Sequence, residues 1–362
     1  MPSITFSCQT ITPLFLSGAD GFTPELRPPS IKGALRFWWR AMHGHLPIKD
    51  FKEKEGALFG DTNQRSRIVV RCLADPPNIQ NAQRYNNFAG VNYLWYSAFM
   101  NNLQYVTDFK FDVILRAKNA SDLQNAAYAF WLLANFGALG SRARRGAGNF
   151  VVTHIHDSQQ LLNGFDFLSI YQNLPDTVNQ LEANLQFLQT HFGTTPTTTV
   201  TDLNTFSNFE LYQVDYRDNE ALRALNRLGM SYQQFRDGRV PTNVLAHRDY
   251  QAVKDFITNS VTPHTIEKAN FGLPIMYRYR SLNGKNALIQ GNDYNRSASS
   301  LIFRMLKSTD GYFPILLNFN SRLLPANTDL SISSGRRNRN TPIPVNTIKD
   351  DFVASIPSIK II

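Results

Sequence analysis

The pair "SDLQNAAYAFWLLANFGALG" (121–140) and "NFVVTHIH" (149–156) decides the fold. The first is the strongest helical stretch of the chain, with Ser121 or Asp122 near its cap and glycines at its end. The second is a short run of β-branched and aromatic residues, the composition of a strand. Upstream, "SITFSCQTITPLFL" (3–16), "SRIVVRCLA" (66–74) and "FKFDVILRA" (109–117) read as three more strands. A Gly/Pro loop (17–30) leads into a helix over 31–43, with Ser30 as N-cap and the prolines before it blocking backward extension. "YLWYSAF" (93–99) reads as a short strand or an aromatic insertion. The order β-α-β-β-α-β is the split βαβ, ferredoxin-like (RRM-like) arrangement, and it closes within residues 1–157.

The second half predicts helices over 176–193, 219–235 and 247–260, strands over 209–216, 273–280, 299–307 and 312–319, and a polar Thr-rich loop over 194–205. Residues 158–362 are therefore expected to repeat the fold with extra helices. The whole chain is expected to be an α+β protein of tandem ferredoxin-like domains with insertions, the second elaborated. Arg-x-x-Ser before an apolar run, at "RPPSIKGALRF" (27–37) and "RSASSLIFR" (296–304), is a faint internal echo.

The 362 residues carry 37 Lys+Arg against 28 Asp+Glu, a formal charge of +9. Such an excess points to an acidic partner, most simply nucleic acid. Cys8 and Cys72 make no disulfide framework, and no Cys/His spacing matches a zinc site, so buried thiols and neither metal nor cofactor are expected. The opening "MPSITFSCQT" lacks the regions of a secretory signal, and the longest apolar run (128–140) is too short to span a bilayer. A cytoplasmic protein without membrane contact is expected.

Two stretches carry candidate chemistry. "RPPSIKGALRFWWRA" (27–41) holds Arg27, Lys32, Arg36 and Arg40, and no acid occurs from Leu26 to Lys49. At 100° per residue, Lys32, Arg36, Arg40 and His43 share one face, and Ile31, Leu35, Trp38 and Met42 form an adjacent apolar stripe. Trp39 falls at the border, where an indole can stack on a base while its neighbours hold phosphates. "GALGSRARRGAGNF" (137–150) interleaves Gly137, Gly140, Gly146 and Gly148 with Arg142, Arg144 and Arg145. It is not a nucleotide loop, because it lacks a Gly-Lys-Ser/Thr ending and follows a helix instead of preceding one. Its arginines suit a chain of phosphates, its glycines a close backbone approach. In the β-α-β-β-α-β order the two stretches are neighbours, so one RNA strand is expected to cross both. "SSGRRNRN" (333–340) reads as a mobile basic loop.

These stretches carry a resemblance. "PELRPPSIKGALRFWWRA" (24–41) looks like the opening signature of the first RAMP subunit of the Cmr complex, the type III-B CRISPR RNA effector. "EGALFGD" (55–61) resembles the Glu-x-x-x-Phe-Gly segment of RAMP superfamily proteins, and "GALGSRARRGAG" (137–148) resembles their glycine-rich loop. "NRSASSLIFRMLK" (295–307) is similar to a C-terminal segment of the same family. The resemblance implies a tandem ferredoxin-like subunit in antiviral defence, contacting guide or target RNA near the guide 3′ end, touching other RAMP subunits and not cutting. It places RNA contacts at Lys32, Arg36 and Trp39 or Arg40, and at Gly140, Arg142, Arg144, Arg145 and Gly146.

The rival is a RAMP-type, metal-independent endoribonuclease with a histidine general base. His43, on the basic stripe, and His45, His154 and His156 are the candidates, the last two at i, i+2 on a strand beside Asp157. Asp20 and Glu25, in the loop before the basic helix, could also reach an RNA surface.

Overall fold

The computed structural model describes residues 1–362 apart from 22, 168–169, 172, 239–243 and 346–347, so Phe22 of the expected 17–30 loop lies outside the described residues. The first unit runs β1 (Ser3–Thr10), α1 (Pro28–His43), α2 (Ile48–Phe59), β2 (Ile68–Ala74), β3 (Ile79–Asn81), α3 (Ala89–Leu94), α4 (Tyr96–Met100), β4 (Gln104–Val106), β5 (Lys110–Ala117), α5 (Ala120–Phe136) and β6 (Phe150–His156). Its main sheet has the order β2-β5-β1-β6, antiparallel throughout. Ranked among themselves, these strands lie second, third, first, fourth, the order of a β-α-β-β-α-β unit. Alternation on β1 sends Ile4, Phe6 and Cys8 into the core and leaves Ser3, Thr5, Ser7 and Gln9 on the other face.

The second half runs β7 (Ile170–Tyr171), α6 (Leu174–Phe192), β8 (Phe209–Val214), α7 (Ala221–Arg236), α8 (Val244–Asn259), β9 (Ile275–Arg278), β10 (Asn286–Gly291), β11 (Leu301–Ser308), β12 (Gly311–Phe319), β13 (Leu330–Ser334), β14 (Arg337–Thr341), α9 (Ile348–Ala354) and β15 (Ser358–Lys360). The sheet β15-β8-β12-β11-β7 repeats the fourth-first-third-second order over its first four strands, with β7 added parallel at the edge. Two insertions, one between α7 and β11 and one between β12 and α9, combine into a third sheet, β14-β13-β10-β9. Its inner face packs Tyr277, Ile289 and Ile332 against Val253, Phe256 and Ile257 of α8.

Helix α5 is apolar nearly all round because it is covered on all sides. Phe130 meets Phe6 of the first sheet, Tyr128 meets Phe165 and Phe187, and Arg304 of β11 reaches its last turn. Leu181, Leu185 and Leu188 of α6 join this same core, so the expected second half contributes to the packing of the first.

Several local expectations are corrected. Ser30 is not the N-cap: α1 begins at Pro28, with Arg27 at the cap position, because a first helical turn tolerates prolines that lack an N–H. Helix α5 is capped by Asn119, whose side chain accepts from the Asp122 amide at 2.8 Å, and not by Ser121 or Asp122. Residues 93–99 fall in α3 and α4, two short helices around the buried Trp95. The 333–340 segment is a paired hairpin, β13–β14, and not a loose loop. The Arg-x-x-Ser echo falls on a helix in one half and before a strand in the other, so it marks no equivalent positions. Cys8 is buried as expected, but Cys72 is only partly so.

Candidate nucleic-acid interface

The basic face of α1 is less bare than its own sequence suggests. Glu55, on the buried side of α2, accepts from Arg40 Nε at 2.8 Å and from Arg40 Nη2 at 2.5 Å. Arg36 Nε lies 3.3 Å from the same carboxylate, and Arg36 Nη2 donates to the Gly60 carbonyl at 2.6 Å. The segment 55–61 is thus a clamp between two helices. A Cβ on Gly56 would meet Asp61 Oδ2 at 2.1 Å, and Gly60 turns the chain at φ +83°. Asp61 accepts from the Asn63 and Gln64 amides and the Gln64 side chain, which holds its carboxyl below the usual range.

One acid shared by two arginines leaves a net positive ridge. The Arg36 and Arg40 side chains stay 32% and 44% exposed. Lys32 lies half-exposed beside them, its ammonium pKa lowered by partial burial and then by Arg36. Arg27 meets Glu25 at a loose 3.8 Å. Asp20 folds back on Thr23, accepting from its amide and hydroxyl.

Trp39 does not border this ridge as expected. It is buried at 3% exposure, stacked on His43 at 3.8 Å and flanked by Phe51 and Phe59, because α2 covers the border the helical wheel left open. Trp38 is also buried, against Phe136 and Phe206.

The glycine-rich loop serves a different purpose from the one its composition suggests. Its glycines admit protein backbone: a Cβ on Gly140 would lie 2.2 Å from the Phe15 carbonyl oxygen, and one on Gly148 would lie 1.9 Å from that of Leu139. Gly146 abuts Leu225 of α7. Its arginines hold carbonyls. Arg145 is buried and donates to Leu301 O (2.8 Å), Phe271 O (2.9 Å), Arg144 O (3.1 Å) and Tyr232 Oη (3.2 Å). Arg142 donates to Leu94 O, and Arg144 to Ser299 O. Burial lowers all three; Arg142 and Arg144, at about 10, stay charged at neutral pH. Phe303 N donates to Arg144 O at 3.2 Å, so the loop joins β11. The loop is a joint between the first sheet's layer and β11, and Arg145 and Gly146 are buried in it while Gly140 stays exposed. Arg304 completes the joint from the other side, donating to Ala134 O, Asn135 O and Phe150 O, a cation at the negative end of α5.

Arg144 still brings the loop to the ridge. Its guanidinium, held to Ser299 O, lies 4.9 Å over the ring of Phe37, one helical position from Arg36. Helix and loop therefore meet, with Arg27, Lys32, Arg36 and Arg40 as the cations that reach the surface and Arg144 packed on Phe37 beside them.

Of the four candidate histidines, His43 and His45 lie with their rings 6.5 Å apart at the end of α1, and His154 and His156 lie on β6. His43 is buried, its Nδ1 2.8 Å from Trp39 O, and burial holds its pKa down at about 4 despite that bond. His154 and His156 are exposed on the open face of the first sheet, opposite Ser7 and Thr5. Among the described residues no group of three His, Cys, Asp or Glu is placed to hold a metal ion, and no helix is long and apolar enough to cross a membrane.

Glu55, Phe37 and the carbonyl partners escaped the sequence reading. Glu55 had a signal: Phe51, Glu55, Leu58 and Phe59 share one helical face, and an acid inside an apolar stripe implies a buried cation partner. Arg304 had the same signal, as the one charged residue in "LIFRML" (301–306).

The RAMP superfamily model matches residues 7–151. The Cmr subunit Cmr1-2 of Pyrococcus furiosus is 30% identical over 179 residues, spanning 42% of this chain and 96% of that protein. The chain belongs to the RAMP superfamily, in its Cmr1 family. A second family member, Cmr1-1 of the same organism, is 26% identical over 203 residues, 53% of this chain and 59% of that one. The fold agrees along the whole length. The apo crystal structure of P. furiosus Cmr1 superimposes with a TM-score of 0.66 at 18% identity, covering 100% of this chain and 99% of that one. A chain of the type III-B Cmr-beta complex bound to cognate target RNA and AMPPnP superimposes with a TM-score of 0.53 at 11% identity, covering 93% and 96%.

Proposed function

We propose that this protein is a non-catalytic, RNA-binding subunit of a type III-B CRISPR effector complex, with guide and target RNA and other RAMP subunits as its partners. Membership in the Cmr1 family supports the assembly. The observation that carries the RNA contact is the α1 ridge. There Arg27, Lys32, Arg36 and Arg40 are opposed by Glu25, Glu55 and Asp61, and their exposed ends leave room for phosphates. Contacts of this kind position a strand and carry no sequence information, so base preference is weak. A place near the guide 3′ end follows from the family resemblance. The two units read as paired ferredoxin-like domains joined at the glycine loop.

A passive role is favoured by the state of His43. A general base must reach a 2′-hydroxyl and take its proton near neutral pH, whereas this ring is stacked under Trp39 and bonded to its own helix.

The test is fluorescence anisotropy of labelled single-stranded RNA across a salt series, with the RNA then run on a gel. Wild type is compared with Arg27→Ala/Lys32→Ala, which removes two surface cations and no buried partner. Each phosphate contact contributes about 0.7 to the salt slope on a single strand, so the variant is expected to lose up to about 1.4. Unchanged affinity and slope would remove the ridge from the interface. RNA cut by wild type and spared by His43→Asn would replace the binding subunit with a nuclease.

A further inference from the structure

The charge of the chain is concentrated in the insertions that build the third sheet. Residues 273–300 hold four cations and one acid, and residues 320–345 again four and one. Strand register sorts these charges along the sheet. Strand β10 runs antiparallel to β13, with Gly291 opposite Leu330 and Leu288 opposite Ser333. The β9–β10 turn (279–285) and the β13–β14 turn (335–336) therefore lie side by side at one end, tied by Ser334 Oγ donating to Asn286 O at 2.6 Å. The two acids, Asp293 and Asp329, lie at the other end, where Asn292 N donates to Asp329 O at 2.9 Å.

Arg278, Arg280, Lys285 and Arg336 thus cluster at the two-turn end, all exposed, and none forms an ion pair among the described residues. Arg337 differs: it caps α8, donating to Phe256 O and Ile257 O. On the helix side of the sheet, burial, Tyr250 and then the acids Asp249 and Asp255 of α8 hold the Tyr279 phenol protonated. From the cations an open face extends along the sheet. Met276, 58% exposed, pairs with Leu288, and beyond them lie Ser333 and Asn338. Apolar surface flanked by amides and hydroxyls suits bases laid flat beside a phosphate-holding edge.

We propose that the paired turns of the third sheet form a second phosphate-binding site for single-stranded RNA, remote in sequence from the α1 ridge. This inference rests on the RNA-binding function proposed above and extends it to another surface. Four unpaired cations on two short turns, with the acids sorted to the far end, match a polyanion in charge. A protein partner with an acidic segment is the rival occupant.

The test is Arg278→Ala/Arg280→Ala/Lys285→Ala/Arg336→Ala in the full chain, which removes no buried contact and leaves Arg337 in place. Anisotropy with labelled single-stranded RNA is recorded over a salt series beside wild type and Arg27→Ala/Lys32→Ala. The expected result is weaker binding with a salt slope lower by up to about 2.8, four phosphates at about 0.7 each. RNA binding weakened by the α1 variant and unchanged by the four-residue variant would overturn this site and leave the α1 ridge standing. Unchanged RNA binding with loss of co-assembly with the other effector subunits would overturn it in favour of an acidic protein partner. No RNA binding by wild type would overturn both readings.

Discussion

Glu55→Gln separates the structural role of the α1 clamp from its electrostatic role, because it moves the two in opposite directions. The Glu55 side chain is 10% exposed and accepts two bonds from Arg40, with Arg36 at 3.3 Å. The amide keeps the shape, removes the charge and turns one acceptor into a donor facing Arg40. Breaking a fully buried pair costs about 3–5 kcal/mol. Here the arginine side chains are 32% and 44% exposed and can turn to water, so a loss of about 1–2 kcal/mol is expected. At roughly 2.1 cal/mol/K per residue, that lowers the thermal midpoint by about 1–3 °C. RNA binding should strengthen, because a buried negative charge has gone and the Arg40 fork is released. The salt slope should steepen by up to about 0.7 per new phosphate contact. The assay is thermal unfolding in parallel with RNA anisotropy at several salt concentrations. A variant that loses stability and RNA affinity together, with no change in slope, would refute the ridge as an RNA surface.

Three further outcomes are expected. Arg145→Met removes three buried hydrogen bonds, to Leu301 O, Phe271 O and Tyr232 Oη, and should cost about 3–5 kcal/mol, read as a lowered urea midpoint, with RNA binding lost only as folding is lost. Gly148→Ala should cost well over 3 kcal/mol, because its Cβ would lie 1.9 Å from a carbonyl oxygen. Gly164→Ala, at φ +80° with open space around it, should cost about 1 kcal/mol by the same denaturation assay. His43 titrates near 4 folded and near 6.5 unfolded, so the unfolded chain binds the extra proton as pH falls through this window. Stability should be level above pH 6.5 and fall by up to about 3 kcal/mol toward pH 4, and His43→Asn should flatten that part of the pH–stability curve.

The first unit was largely legible because each of its elements carries its own period: alternation on β1 and β5, and an apolar helix at α5 that points to a covered environment. Helix α2 was missed because "IKDFKEKEGALF" (48–59) is short, highly charged and holds a glycine, so only its family motif was visible. The small strands β9, β10, β13 and β14 are insertions whose pairing partners lie far apart in sequence, and a basic Gly/Ser/Asn hairpin such as 333–340 has the composition of a loop. The candidate site was legible in its cations but not in their partners. Arg142, Arg144 and Arg145 looked free for phosphates because their acceptors are backbone carbonyls, which no composition reveals, some of them more than 120 residues away. Trp39 looked like a border residue because a helical wheel cannot know that α2 lies across it.

The most direct measurement is photo-crosslinking of the protein to single-stranded RNA carrying 4-thiouridine, with the crosslinked peptides mapped by mass spectrometry. Crosslinks are expected within residues 24–41, on the α1 ridge, and in the turns around 278–286 and 335–338. Crosslinks confined to the open face of the first sheet, around Thr5, Ser7, His154 and His156, would contradict that expectation.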